Sequence, residues 1–391
     1  MRELSDLSNR TDGQPMFKLL DKVKKLEVEG KEIIHFEIGD PDFRTPENIS
    51  NAGIKAIKNG FTHYVSSSGL TEFRQKICET TEVSRGFKPN IDQVLVTPGA
   101  NIAIFYAISC IVNPGEEVIV PDPGFPTYFS TIKMCNTKAV HVPLLESNKF
   151  RMNPKDIENS ITEKTRMIII NSPQNPTGSV MTKEEIRMTY EIAEKHDLYL
   201  YSDEIYARMV YKDSVFNSPS VYDKCQERTI ISNGFSKAFA MTGWRLGAVI
   251  GPSNVVEKMK LLLETTSSCV PPFIQKAGIE AIEGEQTSQK SMYDEYEQRR
   301  NIVVDGINSI HGLSCITPGG AFYVFINIKK TGMTSESFCD YILEDAGVAI
   351  LPGTSFGEFG EGFVRICYAV NQDKIKNALE RIKKSISKLD L

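Results

Sequence analysis

Six short segments in this chain are apolar or nearly so along their whole length: Val94-Leu-Val-Thr97, Glu117-Val-Ile-Val120, Met167-Ile-Ile-Ile170, Leu198-Tyr-Leu-Tyr201, Thr229-Ile-Ile-Ser232 and Gly247-Ala-Val-Ile250. A strand that is apolar on both faces has no side to offer to water, so such strands belong in a sheet covered on both sides. The stretches between several of them have helical periodicity; in 182–197, Ile186, Tyr190, Ile192 and Ala193 make one face. Strands and helices in alternation define an α/β fold with a mostly parallel central sheet.

The two ends read differently. Pro15 opens an amphipathic helix over 15–27 that carries Met16, Leu19, Leu20, Val23 and Leu26. From residue 290 onward the pattern gives a long helix, strands at 321–326 and 363–366, and a last helix. In that helix Ile375, Leu379, Ile382, Ile386 and Leu389 recur four and three apart. A length of 391 residues exceeds the roughly 250–300 at which one core stops growing. The expectation is a large α/β domain over 46–285 and a smaller α+β domain built from 1–45 and 286–391.

A net charge of −5 gives no electrostatic case for binding nucleic acid. The basic runs Lys22-Val-Lys-Lys25 and Arg381-Ile-Lys-Lys384 sit among acidic neighbours and read as solvated helix faces. The eight cysteines form no C-x-x-C pair and no metal-type spacing with histidine. No metal site is therefore expected, and a reducing compartment is. No apolar run approaches the ~20 residues of a membrane span, and the polar start Met1-Arg-Glu-Leu-Ser-Asp lacks a signal core. A cytoplasmic protein is expected.

Open parallel sheets bind ligands beyond the carboxyl ends of their strands, and the chemically interesting segments fall there. Lys237 follows the apolar strand at 229–232, and Arg245 follows the lysine by eight residues. A lysine in a pocket loses its proton near neutral pH and attacks an aldehyde to form a Schiff base. An arginine at fixed distance grips a phosphate through a two-pronged contact. Aldehyde and phosphate together describe pyridoxal 5′-phosphate. The turn Gly99-Ala100-Asn101 opens a helix whose free N–H groups suit a phosphate, although such turns are often purely structural. Asp203, at the end of another strand, is placed to hold a protonated pyridine nitrogen, while Glu204 reads as structural. Asn175, in Asn171-Ser-Pro-Gln-Asn175-Pro176-Thr-Gly178, and Tyr206 are candidates for the phenolic oxygen. Either X-Pro bond of that loop is a candidate for the cis form. Phe125 is either a ring to stack on the pyridine or a core plug.

Taken together, these segments resemble the fold type I aminotransferases, the class I/II group that includes aspartate aminotransferases. The likeness runs from Ile38-Gly39-Asp-Pro-Asp-Phe43 to Phe363-Val-Arg365. It implies a pyridoxal-phosphate-dependent aminotransferase that moves an amino group between an L-amino acid and a 2-oxo acid by ping-pong chemistry, with Lys237 as Schiff-base lysine and proton shuttle. It also implies Asp203 at the pyridine nitrogen, Asn175 and Tyr206 at the phenolic oxygen, and Phe125 on the ring. Arg245, Ser236 and the Gly99–Ala100–Asn101 turn would hold the phosphate, and Arg365, with Gly39 and Asn175 beside it, the substrate α-carboxylate. Tyr64, in His63-Tyr64-x4-Gly69, resembles the tyrosine that reaches the phosphate from a partner subunit, which implies a homodimer with a shared active site.

Two positions depart from the pattern. Gly234 stands where many relatives have a serine, and Asn101 stands where some aspartate-specific relatives have a lysine. The segment Gly13-Gln-Pro-Met16-Phe17, which lies over the substrate pocket in the family, brings no obvious cation for a side-chain carboxylate. The first alternative is another enzyme on the same scaffold, a carbon–sulfur β-lyase or an amino-acid oxidase. A non-catalytic ligand sensor is the remote one.

Overall fold

The structure, a computed structural model, describes residues 3–11 and 13–389. After β1 (Ile34–His35) come the seven strands of the main sheet. They are β2 (Val94–Thr97), β3 (Glu117–Asp122), β4 (Lys138–Pro143), β5 (Thr165–Asn171), β6 (Tyr199–Asp203), β7 (Thr229–Gly234) and β8 (Gly247–Ile250). A second sheet uses β9 (Ser314–Cys315), β10 (Tyr323–Asn327), β12 (Leu351–Pro352) and β13 (Phe363–Cys367), while β11 (Val348–Ala349) pairs with β1.

The main sheet runs β2-β8-β7-β6-β5-β3-β4. Its pairs are parallel from β4 through β7, and β8 runs antiparallel to both of its neighbours. The continuously apolar strands are explained by what covers them. Val118, Val120, Met167 and Ile169 point into one apolar cluster with Ile104 and Met259. Ile119, Ile168 and Ile170 point the other way, into a cluster with Ile186 and Ala193. Both faces are therefore buried, as the sequence pattern requires.

β4 carried no such signal. It is an edge strand in which Lys138 and His141 are on or near the surface, so its sequence is not uniformly apolar. The helix Lys183–Lys195 starts where Thr182 accepts from the Glu185 N–H and the Glu185 carboxylate accepts from the Thr182 N–H. This reciprocal cap satisfies two helix-end donors and marks the element's start.

The second sheet runs β12-β13-β10-β9, all antiparallel. Its apolar face shares one cluster with the helices Thr287–Asn308, Ser335–Ala346 and Gln372–Ile386. Ile34 and Phe36, from far earlier in the chain, join the same cluster, as do Tyr206 and Met209 from the loop after β6. The helix Pro15–Val28 lies against this region, with Met16 on Leu351 and Phe356 and Val23 on Leu343 and Ala349. Among the described residues no helix is long and apolar enough to cross a membrane, and no group of histidine, cysteine and acidic side chains is arranged to hold a metal.

Candidate active site

A cavity of about 510 Å³ opens between the strand ends of the main sheet and the second sheet. One wall comes from Ile38, Gly39, Asp40, Tyr323 and Arg365; the other comes from the segments that follow β2, β3, β5, β6 and β7. Of the candidate residues, Gly39, Ala100, Asn101, Phe125, Asn175, Asp203, Tyr206, Ser236, Lys237, Arg245 and Arg365 line it. Arg245 arrives by a different route from the rest. It lies just before β8, and because β8 runs backwards, that end of the strand faces the carboxyl ends of the others.

Lys237 donates from Nζ to the Gly39 carbonyl at 2.6 Å and has no carboxylate of the described residues within ion-pair distance. Burial lowers its ammonium from the usual lysine range to about 8. The nearby Asp40 carboxylate works against that fall, and the Arg365 and Arg245 cations add to it.

Asp203 presents the opposite case. Its carboxylate accepts from the Tyr128 hydroxyl at 2.6 Å and from the Ile205 N–H at 3.2 Å. Burial raises its carboxyl from 3.8 to about 6, while those two donors hold it down. Among the described residues no cation pairs with it. A buried carboxylate supplied with donors but no counter-charge is costly in a protein that has no cationic group to place there.

Gly99 and Arg245 form a third element. Gly99 has φ +85°, and a Cβ there would come within 2.6 Å of the Arg245 guanidinium. The helix Ala100–Ile111 begins at this glycine with no side-chain cap, so its first N–H groups face the cavity end without a protein acceptor from the cap position. Arg245 is tethered by a 2.9 Å bond from Nη1 to the Thr242 carbonyl. At Gly234, a Cβ would meet Ile205 Cδ1 at 2.5 Å. Ile205 occupies the space that a serine would need.

Arg365 is fully buried in mid-β13. Nη1 donates to Asn175 Oδ1 at 3.1 Å, Nη2 donates to the Glu37 carbonyl, and Nε has no partner among the described residues. The Tyr323 and Phe356 rings flank the guanidinium carbon at 4.6 and 4.8 Å. Asn175 is fixed in turn, its N–H bonded to Asn171 Oδ1 at 2.9 Å. Both prolyl bonds of this loop, before Pro173 and before Pro176, are cis. Tyr206 shares a 2.7 Å hydrogen bond with the Tyr323 hydroxyl, and burial keeps its phenol well above the ordinary value.

Of the candidates, Gly99 and Tyr64 do not themselves line the cavity. Gly99 borders the cavity through Arg245. Phe125 lines the cavity and also meets Tyr128 edge-on at 5.7 Å. Tyr64 is 86% exposed and does not line its own chain's cavity.

A sequence profile of the family "Aminotransferase class I and II" matches residues 31–382. An aspartate aminotransferase of Pyrococcus horikoshii is 40% identical over 370 residues, covering 94% of this chain and 93% of the relative. Aromatic-amino-acid aminotransferase 2 of Thermococcus litoralis is 39% identical, covering 99% of each. The crystal structure of the aspartate aminotransferase from Rhizobium meliloti superimposes with a TM-score of 0.96 at 32% identity, covering 100% of both chains. The chain belongs to the class I and II aminotransferases. It is a fold type I, pyridoxal-phosphate-dependent aminotransferase.

Sequence reasoning assigned no role to several residues that define the geometry of this aminotransferase. Tyr128 lies three residues after Phe125 and Asn171 opens the Asn171–Gly178 segment, but their partners lie 75 and 32 residues away. Tyr323 sits in a strand that reads as simply apolar. Glu204, read as structural, is buried and paired with Arg85 through Nε at 3.2 Å.

Proposed function

We propose that Asp203, Asn175, Tyr206, Phe125, Ser236, Lys237, Arg245 and the Gly99–Ala100–Asn101 turn hold pyridoxal phosphate, and that Arg365 with Gly39 receives the substrate α-carboxylate. The observation that carries this reading is Asp203, a buried carboxylate with two donors and no cation, in a cavity that also presents a lysine amine without a carboxylate partner. A protonated ring nitrogen is the counter-charge that Asp203 lacks, and Gly99 leaves room for an anion beside Arg245.

When bound, the coenzyme supplies the electron sink that makes a substrate Cα–H acidic. The chain's own residues do the rest. Burial lowers the Lys237 ammonium to about 8, so a fraction of the side chain is the free amine near neutral pH, and that form takes the Cα proton at Nζ. Arg365 fixes the carboxylate, and with it the direction in which that Cα–H points. Tyr206 stays a phenol and donates. Two half-reactions, one with an amino acid and one with a 2-oxo acid, return the enzyme to its starting state.

The same reading assigns residues 46–285 to coenzyme binding, and 1–45 with 286–391 to a smaller domain that brings Arg365 and Gly39 to the substrate. Tyr64, so exposed in a single chain, supports a homodimer in which it serves the partner's phosphate site. Eight free thiols support a reducing, cytoplasmic location. Among the described residues lining the cavity the cations are Lys237, Arg245 and Arg365. With all three assigned, neutral side chains are favoured over a second carboxylate on the amino donor.

Borohydride reduction followed by peptide mapping tests the assignment: a pyridoxyl label is expected on Lys237, and its absence there refutes it. Lys237→Ala should lose turnover and keep its fold. Adding an amino acid without an oxo acid should convert the bound chromophore stoichiometrically. Release of ammonia with pyruvate would instead mean a lyase, and uptake of oxygen an oxidase.

A further inference from the structure

A second cavity, of about 260 Å³, lies on the other side of the Lys237 segment from the active site. It is bounded by the carboxyl-terminal end of the helix Thr71–Arg85, the loop after Tyr206, and the segment at 233–239. Its walls are apolar, with Ile77, Phe216, Phe235 and Phe239 prominent, and two arginines stand at its rim.

The two cations are not equally satisfied. Arg85 donates from Nε to the buried Glu204 carboxylate at 3.2 Å, so its charge is matched. Arg208, exposed to solvent, has among the described residues only the Thr80 hydroxyl at 3.2 Å and the face of Phe239 at 5.5 Å. No described acidic group lies within ion-pair distance of it. The pocket therefore carries one unmatched positive charge beside an aromatic floor.

We propose that this pocket binds a small monocarboxylate with an apolar body and no ammonium group, the class to which 2-oxo acids with apolar side chains belong. The carboxylate pairs with the Arg208 guanidinium, a charge-assisted contact, and the apolar body fills the space against Phe235 and Phe239. The volume falls below the ~300–1,000 Å³ typical of larger ligand sites, so the occupant is small. An amino acid fits poorly, because its ammonium would sit beside the unmatched Arg208 charge and against apolar walls. The site thus separates the two substrate classes of a transaminase by charge alone.

Its position gives it a route to the chemistry. Phe235 and Phe239 stack on each other at 5.5 Å and 24°, and between them the chain carries Ser236, Lys237 and Ala238. A ligand pressed against these rings bears on the segment that holds the lysine, which makes the pocket regulatory.

The test is calorimetric titration of the holoenzyme with 3-phenylpropionate, a monocarboxylate that cannot undergo transfer. Two sites per chain are expected, one of them the active site. Arg208→Gln should remove the second site or weaken it by about tenfold or more, the loss expected for a charge-assisted bond. Basal kcat/KM should stay within about twofold, since Arg208 does not line the active site. At the Arg208-dependent site, 3-phenylpropylamine should not bind. A single site per chain unaffected by Arg208→Gln overturns the proposal, as does equal binding of uncharged 3-phenylpropanol at the second site. Neither outcome touches the reading of Lys237, which the pyridoxyl label tests separately.

Discussion

Asp203→Asn offers a sharp test because it should move stability and function in opposite directions. In the coenzyme-free protein, burial raises the Asp203 carboxyl from 3.8 to about 6. The folded state thus holds this proton more tightly than the unfolded chain does. Between about pH 4 and pH 6 the folded form binds more protons, so stability falls as pH rises through that window. Above it the full penalty applies. A difference of about two pH units corresponds to roughly 3 kcal/mol. Asparagine keeps the shape and accepts from the Ile205 N–H, while its amide donates to the Tyr128 hydroxyl oxygen, so the substitution removes the charge and reverses the Tyr128 bond, turning that hydroxyl proton away from its acceptor. At roughly 2.1 cal/mol/K per residue, a chain of 391 residues gains roughly 3–4 °C in melting temperature. Paired thermal melts of the two coenzyme-free proteins at pH 7.5 and pH 4 are the assay. The variant should melt higher at pH 7.5, level with wild type at pH 4, and bind pyridoxal phosphate poorly. A variant that melts at or below wild type at pH 7.5 would refute the account of Asp203 as an uncompensated charge.

Tyr128→Phe removes the 2.6 Å bond to Asp203. Hydrogen bonds to charged groups contribute ~1.5–3 kcal/mol, so the dissociation constant for pyridoxal phosphate, read by absorbance, should rise by about 10- to 100-fold. Because burial lowers the Lys237 ammonium to about 8, the rate at which coenzyme-free enzyme captures added pyridoxal phosphate should climb with pH and level off above that value. Asp40→Asn should move the inflection to lower pH, since the Asp40 carboxylate is what holds the ammonium up; stopped-flow absorbance reads both. Arg365→Lys should lower kcat/KM for amino acids by about 10- to 100-fold, mostly through KM, because an ammonium cannot reproduce the forked contact.

What the sequence revealed depended on whether a residue's partner was near it in the chain. β5 and β7 were plain because each is buried on both faces and therefore apolar throughout. β4 was missed because one side of it meets water, and Lys138 and His141 break the pattern. Lys237, Asp203 and Asn175 were legible because loops at strand ends are few and these residue types are informative there. The surroundings of those residues were not. Tyr128 meets Asp203 across 75 residues and Arg365 meets Asn175 across 190, distances over which no local pattern speaks. Arg365 could be picked out, but not the two rings that sandwich it, because Tyr323 and Phe356 look like ordinary core residues until the second sheet is folded.

The backward course of β8 makes the stretch from 234 to 247 behave as a pair of callipers. One jaw is the amine and the other the guanidinium, and the spacing is set by a single tight excursion of chain rather than by the docking of distant parts. In the proposed site this stretch tolerates no change of length, because a residue gained or lost there would separate two grips that would close on the same small molecule.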